Sequence, residues 1–497
     1  MRALDLAVLA VYLVGVTALG TWLGRRQKDA RDYFLADRAI PWWAVCFSIV
    51  ATETSALTFI SVPATAYASD MWMLQLACGY LLGRIVVAVV LLPGYFRGEM
   101  VTAYALLERR FGLVARRFAS AVFMVTRALG DGIRIFATAI PIKLITGLPY
   151  WQSIVLTGIF TVIYTYHGGL SAVIWVDVVQ MFVYLVGGLA ALGVLAAGVA
   201  GGWEGIVAAG SSAGKWTVLH LDGGFADGRW LVTGLVGGAF LSMASHGVDH
   251  LIVQRLLASP SLREARRALV ASGAIVIAQF ALFLVVGVGL YAFYGGQSFA
   301  VRDEVFPRFI IEQLPPGLAG LMIAGILAAA MSTAASSLNS LASATTMDLY
   351  APLSGRADDA RHLLRVGRAF TLVWAVVLIG GAMLFQFATQ GSTLVVMALE
   401  IASFTYGGLL GGFLLGVLVR RANQRDAITG MGAAILVMAA LWATQQFGVM
   451  PKRVDTLWFS LIGSAITIGV GWLSSRLRPA REPVPVPEAA GLPESGG

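Results

Sequence analysis

The chain has 497 residues, of which 58% are hydrophobic and only 12% are charged, and its formal net charge at pH 7 is +8. Its mean hydropathy is +0.79. This composition excludes a soluble globular domain and indicates a protein that crosses a lipid bilayer several times.

Apolar stretches recur along the chain and predict about thirteen transmembrane helices. They are expected at residues 5–24, 42–66, 72–94, 116–146, 151–167, 172–200, 230–257, 268–293, 316–349, 364–387, 391–419, 427–446 and 455–474. Arginines concentrate in every second loop, so the positive charge orients the chain and does not mark a nucleic-acid partner. The pattern predicts a multi-pass protein of the cell inner (plasma) membrane. Because the number of spans is odd, the termini are expected on opposite faces, and the arginine-rich loops predict that the N-terminus lies outside and the C-terminus in the cytoplasm.

Polar residues interrupt the second and the seventh predicted spans. Thr52, Glu53 and Thr54 lie in the middle of the second span, and the segment from Ser242 to His250 lies in the seventh. A broken helix leaves backbone carbonyls unpaired at membrane depth, which is tolerated only where they line a cavity or bind something. The interruptions lie five helices apart, and a repeat of five helices must be inverted because five is odd.

No shift in composition divides the chain, so residues 1–475 are expected to form one transmembrane domain. The halves of the inverted repeat are predicted at about 42–200 and 230–419, with extra helices at about 5–24, 427–446 and 455–474. Residues 476–497 are rich in Pro, Glu and Gly and are predicted to be a disordered cytoplasmic tail.

The ninth predicted span carries the densest polar pattern. Its members share an arc of roughly 100° on one helix face; they are Ser332, Ser336, Asn339, Ser340 and Ser343. Neutral oxygens in a low-dielectric interior suit a small hard cation. Serines also let helices pack closely, so the stripe is consistent with an ion site or with packing.

The fourth predicted span carries Arg127, Asp131 and Arg134 on one face. A lone charge at the bilayer centre costs at least ~2.5 kcal/mol, so these groups are expected to be paired or to face water. One arginine can pair with Asp131, which leaves the other for Glu53, Glu400 or an anionic substrate. Structural pairing and substrate contact are both open.

His246, Asp249 and His250 form an H-x-x-D-H pattern that is superficially similar to a zinc-protease motif. An intramembrane metal-dependent hydrolase is therefore one alternative function. A passive channel or sensor scaffold is another. The absence of a surrounding carboxylate set argues against the hydrolase, so neither an enzyme nor a catalytic metal is expected.

Five motifs in order resemble the sodium/solute symporter family, whose members carry proline, sugars, vitamins, monocarboxylates and iodide. The motifs are ATETSALTFISVPATAY, HGGLSAVIWVDVVQ from His167, GVDHLIVQRLLA from Gly247, AAAMST to TMDLY, and SFTYGGLLGGFLLG from Ser403. The resemblance spans roughly residues 32 to 420 and points to a bacterial-type member. It implies a LeuT-like inverted repeat and a sodium-coupled symporter that imports a small organic solute by alternating access.

The resemblance also implies the ion ligands. In the family a sodium ion sits between the broken first core helix and the eighth core helix. In this chain, the matching backbone carbonyls belong to Ala51, Thr54 and Ala329, and the matching hydroxyls to Ser332 and Thr333. Sodium is the coupling ion, and no other cofactor is implied.

Some relatives bind a second sodium through an aspartate and two adjacent hydroxyl residues. Asp177 matches the aspartate, but the hydroxyl pair reads Ala335-Ser336. One coupling sodium is therefore predicted, and Asp177 with Ser336 is a candidate second ion or proton site.

The candidate residues of the substrate pathway are polar residues inside the spans and residues at positions where the family resemblance implies contact with the substrate. Its candidates are Glu53, Thr58, Tyr80, Arg134, Asp249, His250, Glu400 and Tyr406. Sugar carriers use polar residues and a lysine where this chain has Leu57, Thr58 and Ala278, which disfavours a sugar. The segment ending in SVPATAY is more similar to the vitamin, monocarboxylate and iodide branch of the family, which implies a monocarboxylate or a vitamin-like compound. The excess of arginines favours an organic anion or an amino acid. The sequence sets neither the substrate's identity and charge nor the oligomeric state.

Overall fold

The computed structural model describes residues 3–23, 29–98, 100–299, 302–388, 394–446 and 454–477. Over these residues the chain is helical and contains no strand. The predicted all-α class is confirmed. Of the predicted tail, residues 476–497, the structure describes only Arg476, which ends the last helix, and Leu477. Residues 478–497 lie outside the described residues.

Ten α-helices are described before residue 213. They are α1 (Ala3–Leu23), α2 (Ala30–Leu35), α3 (Trp42–Glu53), α4 (Ala56–Ala68), α5 (Met73–Val86), α6 (Leu92–Tyr95), α7 (Ala105–Phe111), α8 (Leu113–Thr146), α9 (Tyr150–Gly198) and α10 (Gly202–Ser212). The rest of the described chain contains α11 (Gly238–Gly247), α12 (His250–Leu257), α13 (Leu262–Tyr294), α14 (Val305–Glu312), α15 (Leu318–Ala344), α16 (Ala351–Ser354), α17 (Ala360–Ala388), α18 (Leu394–Leu418), α19 (Gln424–Gln446) and α20 (Phe459–Arg476).

Eight described helices are long and apolar enough to cross a membrane, or nine if the bent pair Ala30–Arg38 and Trp42–Glu53 is one span. This number is lower than the predicted one for physical reasons. The helices beside the two breaks are shorter than the 18 residues that the length criterion requires. In addition, α9 joins the predicted spans 151–167 and 172–200. The helix α8 is long enough but carries too many charged residues to be counted, and Thr405–Leu418 of α18 is also shorter than 18 residues.

The long helix α9 bends at Gly169, where φ is 53° and ψ is −154°. A Cβ atom at this position would lie 2.4 Å from the carbonyl oxygen of Tyr33. Only glycine combines this backbone conformation with such a close approach. The bend therefore separates the two predicted spans without a loop.

Both predicted interruptions are breaks between two helices. α3 ends at Glu53 and α4 begins at Ala56, where the Ser55 side chain caps the new helix by accepting from the Thr58 amide. α11 ends at Gly247, and the Asp249 side chain caps α12 by accepting from the Leu251 amide at 2.9 Å. Serine and aspartate are good caps because their oxygens satisfy amides that a helix start leaves unpaired.

α15 is the central helix of the bundle. It packs against α1, α3, α8, α9 and α17, and almost all of its residues are buried. The polar stripe of α15 is therefore surrounded by protein on every side. Buried hydroxyls need hydrogen-bond partners, and the partners of this stripe build the site described next.

Candidate functional site

A cavity of about 240 Å³ lies at the break between α3 and α4. Polar side chains of the break line one wall, and Ser245 and His246 of α11 line another. α8 contributes both Arg127 and Arg134, and apolar residues such as Met73 of α5 and Phe280 of α13 also line the cavity. The cavity thus combines an apolar wall with a few polar groups, which is the usual composition of a small-molecule site.

The five residues matched to the sodium site are all buried, with at most 3% of each exposed. They are Ala51, Thr54, Ala329, Ser332 and Thr333. Thr333 donates its hydroxyl to the carbonyl of Ala329 at 3.1 Å, and Thr333 also lines the cavity. α3 packs against α15, and the last carbonyls of a helix such as α3 have no partner within that helix.

Ser332 and Asp177 connect this site to a buried polar network. Ser332 Oγ donates to Asp177 Oδ1 at 2.6 Å, and Ser48 Oγ donates to Oδ2 at 2.6 Å. Arg255 Nη2 lies 3.1 Å from the same Oδ2, and the Asp177 and Arg255 side chains have no exposed surface. We call this group, with Thr52 and Ser336, the Asp177 network.

The sequence interpretation missed Ser48 and, with a larger consequence, the one arginine of this network, Arg255. It lies inside the predicted seventh span, where an unpaired arginine is costly. That cost was the available signal, because a charge within a span calls for a buried partner. Arg84, in the third predicted span, gave the same signal.

Glu53 lines the cavity and forms an ion pair with Arg84, whose side chain is fully buried. Arg84 Nη1 also donates to Ser272 Oγ at 2.7 Å. The Nε2 atom of His246 lies 3.6 Å from Glu53 Oε2. The partner of Glu53 is thus on α5 and not on α8, so the arginines of α8 are left for other roles.

Arg127 joins three helices through buried contacts. Its Nε donates to Asp249 Oδ2 at 3.1 Å, its Nη1 to Asp131 Oδ1 at 3.2 Å, and its Nη2 to the Tyr406 hydroxyl at 2.9 Å. Tyr406 in turn donates to Asp249 Oδ2 at 2.5 Å. Arg127 therefore has well-defined structural partners.

Arg134 is held less tightly than Arg127. Its Nη1 lies 3.2 Å from Asp131 Oδ1, and 26% of its side chain is exposed, against 8% for Arg127. Asp131 also accepts a hydrogen bond from Ser337 at 2.5 Å. On the cavity wall, Arg134 is the arginine best placed to meet a solute.

The remaining pathway candidates differ in whether they line the cavity. Thr58, Tyr80 and Tyr406 line the cavity. Asp249 is fully buried and is engaged by Arg127, by Tyr406 and by its own helix cap. Glu400 lies on α18, but its side chain is outside the described part of the chain.

His250 does not line the cavity. Its Nδ1 accepts from the amide of Ala103 at 3.3 Å and its Nε2 lies 3.1 Å from Ser343 Oγ. Its ring packs against Tyr104 and Phe123. The H-x-x-D-H residues therefore have separate partners: His246 faces Glu53, Asp249 binds Arg127, and His250 lies against α15.

A loop lysine fastens the end of α4 that lies away from the break. Lys215 Nζ donates to the carbonyls of Tyr67 and Ser69 at 2.8 and 2.9 Å and lies 4.5 Å from the ring centre of Tyr291. A cation at a helix C-terminus stabilises the helix dipole, while burial lowers the pKa of Lys215. This contact helps to hold α4, which carries Thr58 and Ser61 on the cavity wall.

Comparisons with known proteins agree with this geometry. Residues 33–433 match the family model described as Sodium:solute symporter family. The sodium/sialic acid symporter NanT of Aliivibrio fischeri is 30% identical over 95% of this chain and 93% of its own length. The human sodium/iodide cotransporter is 28% identical over 92% of this chain and 72% of its own length. The sodium-dependent multivitamin transporter of Oryctolagus cuniculus is 30% identical over 88% of this chain and 70% of its own length.

Solved structures show the same likeness. A Na+-coupled sialic acid symporter in a substrate-bound outward-open state superimposes with a TM-score of 0.86 at 27% identity, over 96% of this chain and 98% of that one. A transporter of the nucleobase-cation-symport-1 family reaches a TM-score of 0.59 at 14% identity, over 89% of this chain and 94% of that one. At that identity, the second likeness concerns the fold alone.

Proposed function

Because this chain belongs to the sodium:solute symporter family, we propose that it uses the inward movement of sodium to import a small organic anion. The class of function follows from the family, since the relatives named above are sodium-coupled symporters. The chain is a secondary active transporter of a small organic solute. The substrate class and the residues that bind ion and solute are the parts we propose.

For the architecture, we propose about thirteen spans arranged around an inverted five-helix repeat. The pairs α3 with α4 and α11 with α12 are the broken first helices of the two halves. Residues 1–475 form one transmembrane domain, with the N-terminus outside and the C-terminus in the cytoplasm. The two capped breaks and the bend of α9 at Gly169 support this arrangement.

We propose that sodium binds the carbonyls of Ala51, Thr54 and Ala329 and the hydroxyls of Ser332 and Thr333. Burial of these five residues supports this set, as does the C-terminus of α3, whose dipole favours a cation. Neutral oxygen ligands suit a hard monovalent ion without demanding a second charge.

One observation favours coupling between ion and solute. Thr333, a proposed sodium ligand, also lines the cavity, as does Thr54. A sodium ion that orders the contact between α3 and α15 would therefore also order the cavity wall. Binding of the ion and binding of the solute then stabilise the same arrangement of helices.

Arg134 is the proposed anion contact. It is the partly exposed arginine of the cavity wall, and guanidinium groups bind carboxylates well. The volume of about 240 Å³ lies below the range of ~300–1,000 Å³ typical of drug-sized ligands. The apolar wall suits an anion with a small apolar body.

The test is uptake by purified protein in proteoliposomes. A thermal-shift screen of sialic acid, short monocarboxylates, vitamin acids, amino acids and iodide, with and without sodium, first selects the solute. Uptake of the selected solute should require an inward sodium gradient and should stop when sodium is replaced by potassium. Sodium-independent uptake, or sodium flux without solute, would contradict the proposal and favour a passive channel.

A further inference from the structure

We infer that Gln279 of α13 is a positioning residue for the proposed sodium site, because its side-chain amide holds the hydroxyl of Thr54 and thereby fixes the direction of the Thr54 carbonyl. The inference rests on the proposed sodium ligands, of which this carbonyl is one. Gln279 itself lies outside that ligand set, on a helix that supplies none of its members. It therefore acts on the affinity for sodium through Thr54.

Gln279 differs in chemistry from its neighbours on α13. From Gly273 to Leu290 it is the only residue whose side chain carries polar atoms, and only 3% of it is exposed. An amide buried in an apolar span is unfavourable unless its polar atoms are hydrogen-bonded. The position of this glutamine therefore calls for a partner, and that partner lies on another helix.

The partner is the side chain of Thr54, which is 2% exposed. Gln279 Nε2 donates to Thr54 Oγ1 at 2.7 Å, and Oε1 of the same amide lies 3.1 Å from that hydroxyl. The hydroxyl also lies 2.9 Å from the carbonyl of Val50, one turn earlier in α3. Because a hydroxyl has one proton and two lone pairs, Thr54 can donate to Val50 while it accepts from Gln279.

Thr54 occupies the point where the chain leaves α3. It caps the C-terminus of that helix with φ of −78° and ψ of 95°, and only Thr54 and Ser55 separate α3 from α4. At a helix end the carbonyls have no partner within the helix, so the helix does not set the direction of the Thr54 carbonyl. The hydrogen bonds of the Thr54 hydroxyl to Gln279 and Val50 supply that restraint.

Gln279 makes a closer contact with Thr54 than Tyr184 of α9 does. The Tyr184 hydroxyl lies 3.5 Å from Thr54 Oγ1, which is longer than an ordinary hydrogen bond between oxygens. The contact of 2.7 Å from Gln279 is therefore the stronger one. α13 also supplies Val276 and Phe280 to the cavity wall, so the helix that holds Thr54 is one that a bound solute would touch.

A purely structural role for Gln279 predicts a different result. A hydrogen bond that only stabilises the contact between α13 and α3 would change the melting temperature and leave the sodium affinity of the folded protein unchanged. A positioning role changes the sodium affinity, and it does so only while Thr54 has its hydroxyl. Thr54→Val removes that hydroxyl and keeps the backbone carbonyl, so this substitution separates the two roles.

The experiment measures equilibrium binding of radiolabelled sodium, without solute, to the full chain in lipid nanodiscs. We expect Gln279→Leu and Thr54→Val each to raise the dissociation constant of sodium about three- to tenfold, the size of effect expected from one lost hydrogen bond. The double variant should bind sodium no more weakly than either single variant, because Gln279 acts through the Thr54 hydroxyl. Thr54→Ser keeps the hydroxyl and should bind sodium like the wild type.

Gln75→Leu is the matched control for the loss of a buried amide. Gln75 is 2% exposed and donates through Nε2 to the carbonyl of Arg229 at 2.7 Å. It lies on α5, which carries none of the proposed sodium ligands. The same substitution therefore removes an equally buried amide and an equally short hydrogen bond, and the sodium affinity should remain that of the wild type.

Unchanged sodium binding in Gln279→Leu, additive losses in the double variant, or equal weakening in Gln75→Leu would overturn the inference and leave sodium coupling intact. Absence of sodium binding to the wild type, or binding that Ser332→Ala does not weaken, would instead refute the proposed sodium site. If Gln279→Leu does not fold, Gln279→Met takes its place. Without any variant of Gln279, Thr54→Val that binds sodium as tightly as Thr54→Ser overturns the inference.

Discussion

Ser332 donates its hydroxyl proton to Asp177 across 2.6 Å, and neither residue is exposed. A serine hydroxyl has one proton and two lone pairs, so this bond leaves Ser332 only lone pairs for any further contact. Asp177 therefore orients Ser332 as an oxygen ligand. Through Arg255, the same aspartate links the proposed sodium site to α12.

Removal of either proposed hydroxyl ligand should weaken sodium binding. We expect Ser332→Ala or Thr333→Ala to raise the sodium concentration for half-maximal uptake about tenfold, because one lost oxygen contact is worth about 1–1.5 kcal/mol. Sodium titrations of uptake in proteoliposomes measure the effect.

Ser340→Ala is the matched control, since Ser340 is a buried serine of the same helix that donates to the Ser337 carbonyl at 3.2 Å. Its sodium dependence should remain that of the wild type. Equal shifts in all three variants would show that α15 is merely perturbed.

Arg127 and Arg134, the two arginines of α8 that line the cavity, should respond differently to substitution. Arg134→Gln should raise the KM for the transported anion about 10–100-fold, because hydrogen bonds to charged groups are worth about 1.5–3 kcal/mol. The melting temperature of this variant should equal that of the wild type. Arg127→Gln should lower the melting temperature, because it leaves Asp249 without its buried cation. An unchanged KM in Arg134→Gln would remove this arginine from the substrate site.

The ion pair between Glu53 and Arg84 should contribute to stability. Glu53→Gln leaves the fully buried Arg84 without a compensating charge, and we expect a loss of about 2–4 kcal/mol in the free energy of unfolding. The double variant Glu53→Gln with Arg84→Met should recover part of this loss, since it removes the uncompensated charge. Additive losses in this double-mutant cycle would show that the pair is not coupled.

Gly169 should be intolerant of any side chain. Gly169→Ala places a Cβ atom 2.4 Å from the carbonyl of Tyr33 in a backbone conformation with φ of 53°, so we expect poor folding and loss of at least ~2 kcal/mol. Gly193→Ala on the same helix α9 meets nothing within 4 Å and should be neutral or stabilise by up to ~1 kcal/mol. Size-exclusion profiles and melting temperatures of the two variants test this contrast.

The sequence predicted those features of the site that depend on local chemistry. The two breaks could be found because polar residues interrupt apolar runs, and Ser55 and Asp249 are ordinary helix caps. The stripe of α15 could be found because its serines recur at helical spacing. These signals lie within one segment of chain and do not require knowledge of how helices pack.

Partners on different helices could not be predicted in the same way. Glu53 could have paired with any of several arginines, and the structure pairs it with Arg84. The role of Arg255 depends on α3, α9 and α15 meeting α12, which no single segment encodes. His250 was predicted to lie on the substrate pathway because it is a polar residue beside the second break. In the structure its side chain contacts Ser343 and does not line the cavity.

Coupling to one sodium makes a prediction about membrane voltage. When one sodium ion accompanies a singly charged anion, no net charge crosses the membrane, so a potassium diffusion potential should leave accumulation of the anion unchanged. A tenfold sodium gradient then sustains about tenfold accumulation. If two sodium ions moved with the same anion, one net charge would cross, and an inside-negative potential of ~100 mV would add about 2.3 kcal/mol, or roughly fiftyfold. Proteoliposomes loaded with potassium and treated with valinomycin distinguish these outcomes, and a large response to voltage would contradict coupling of one sodium ion to a singly charged anion.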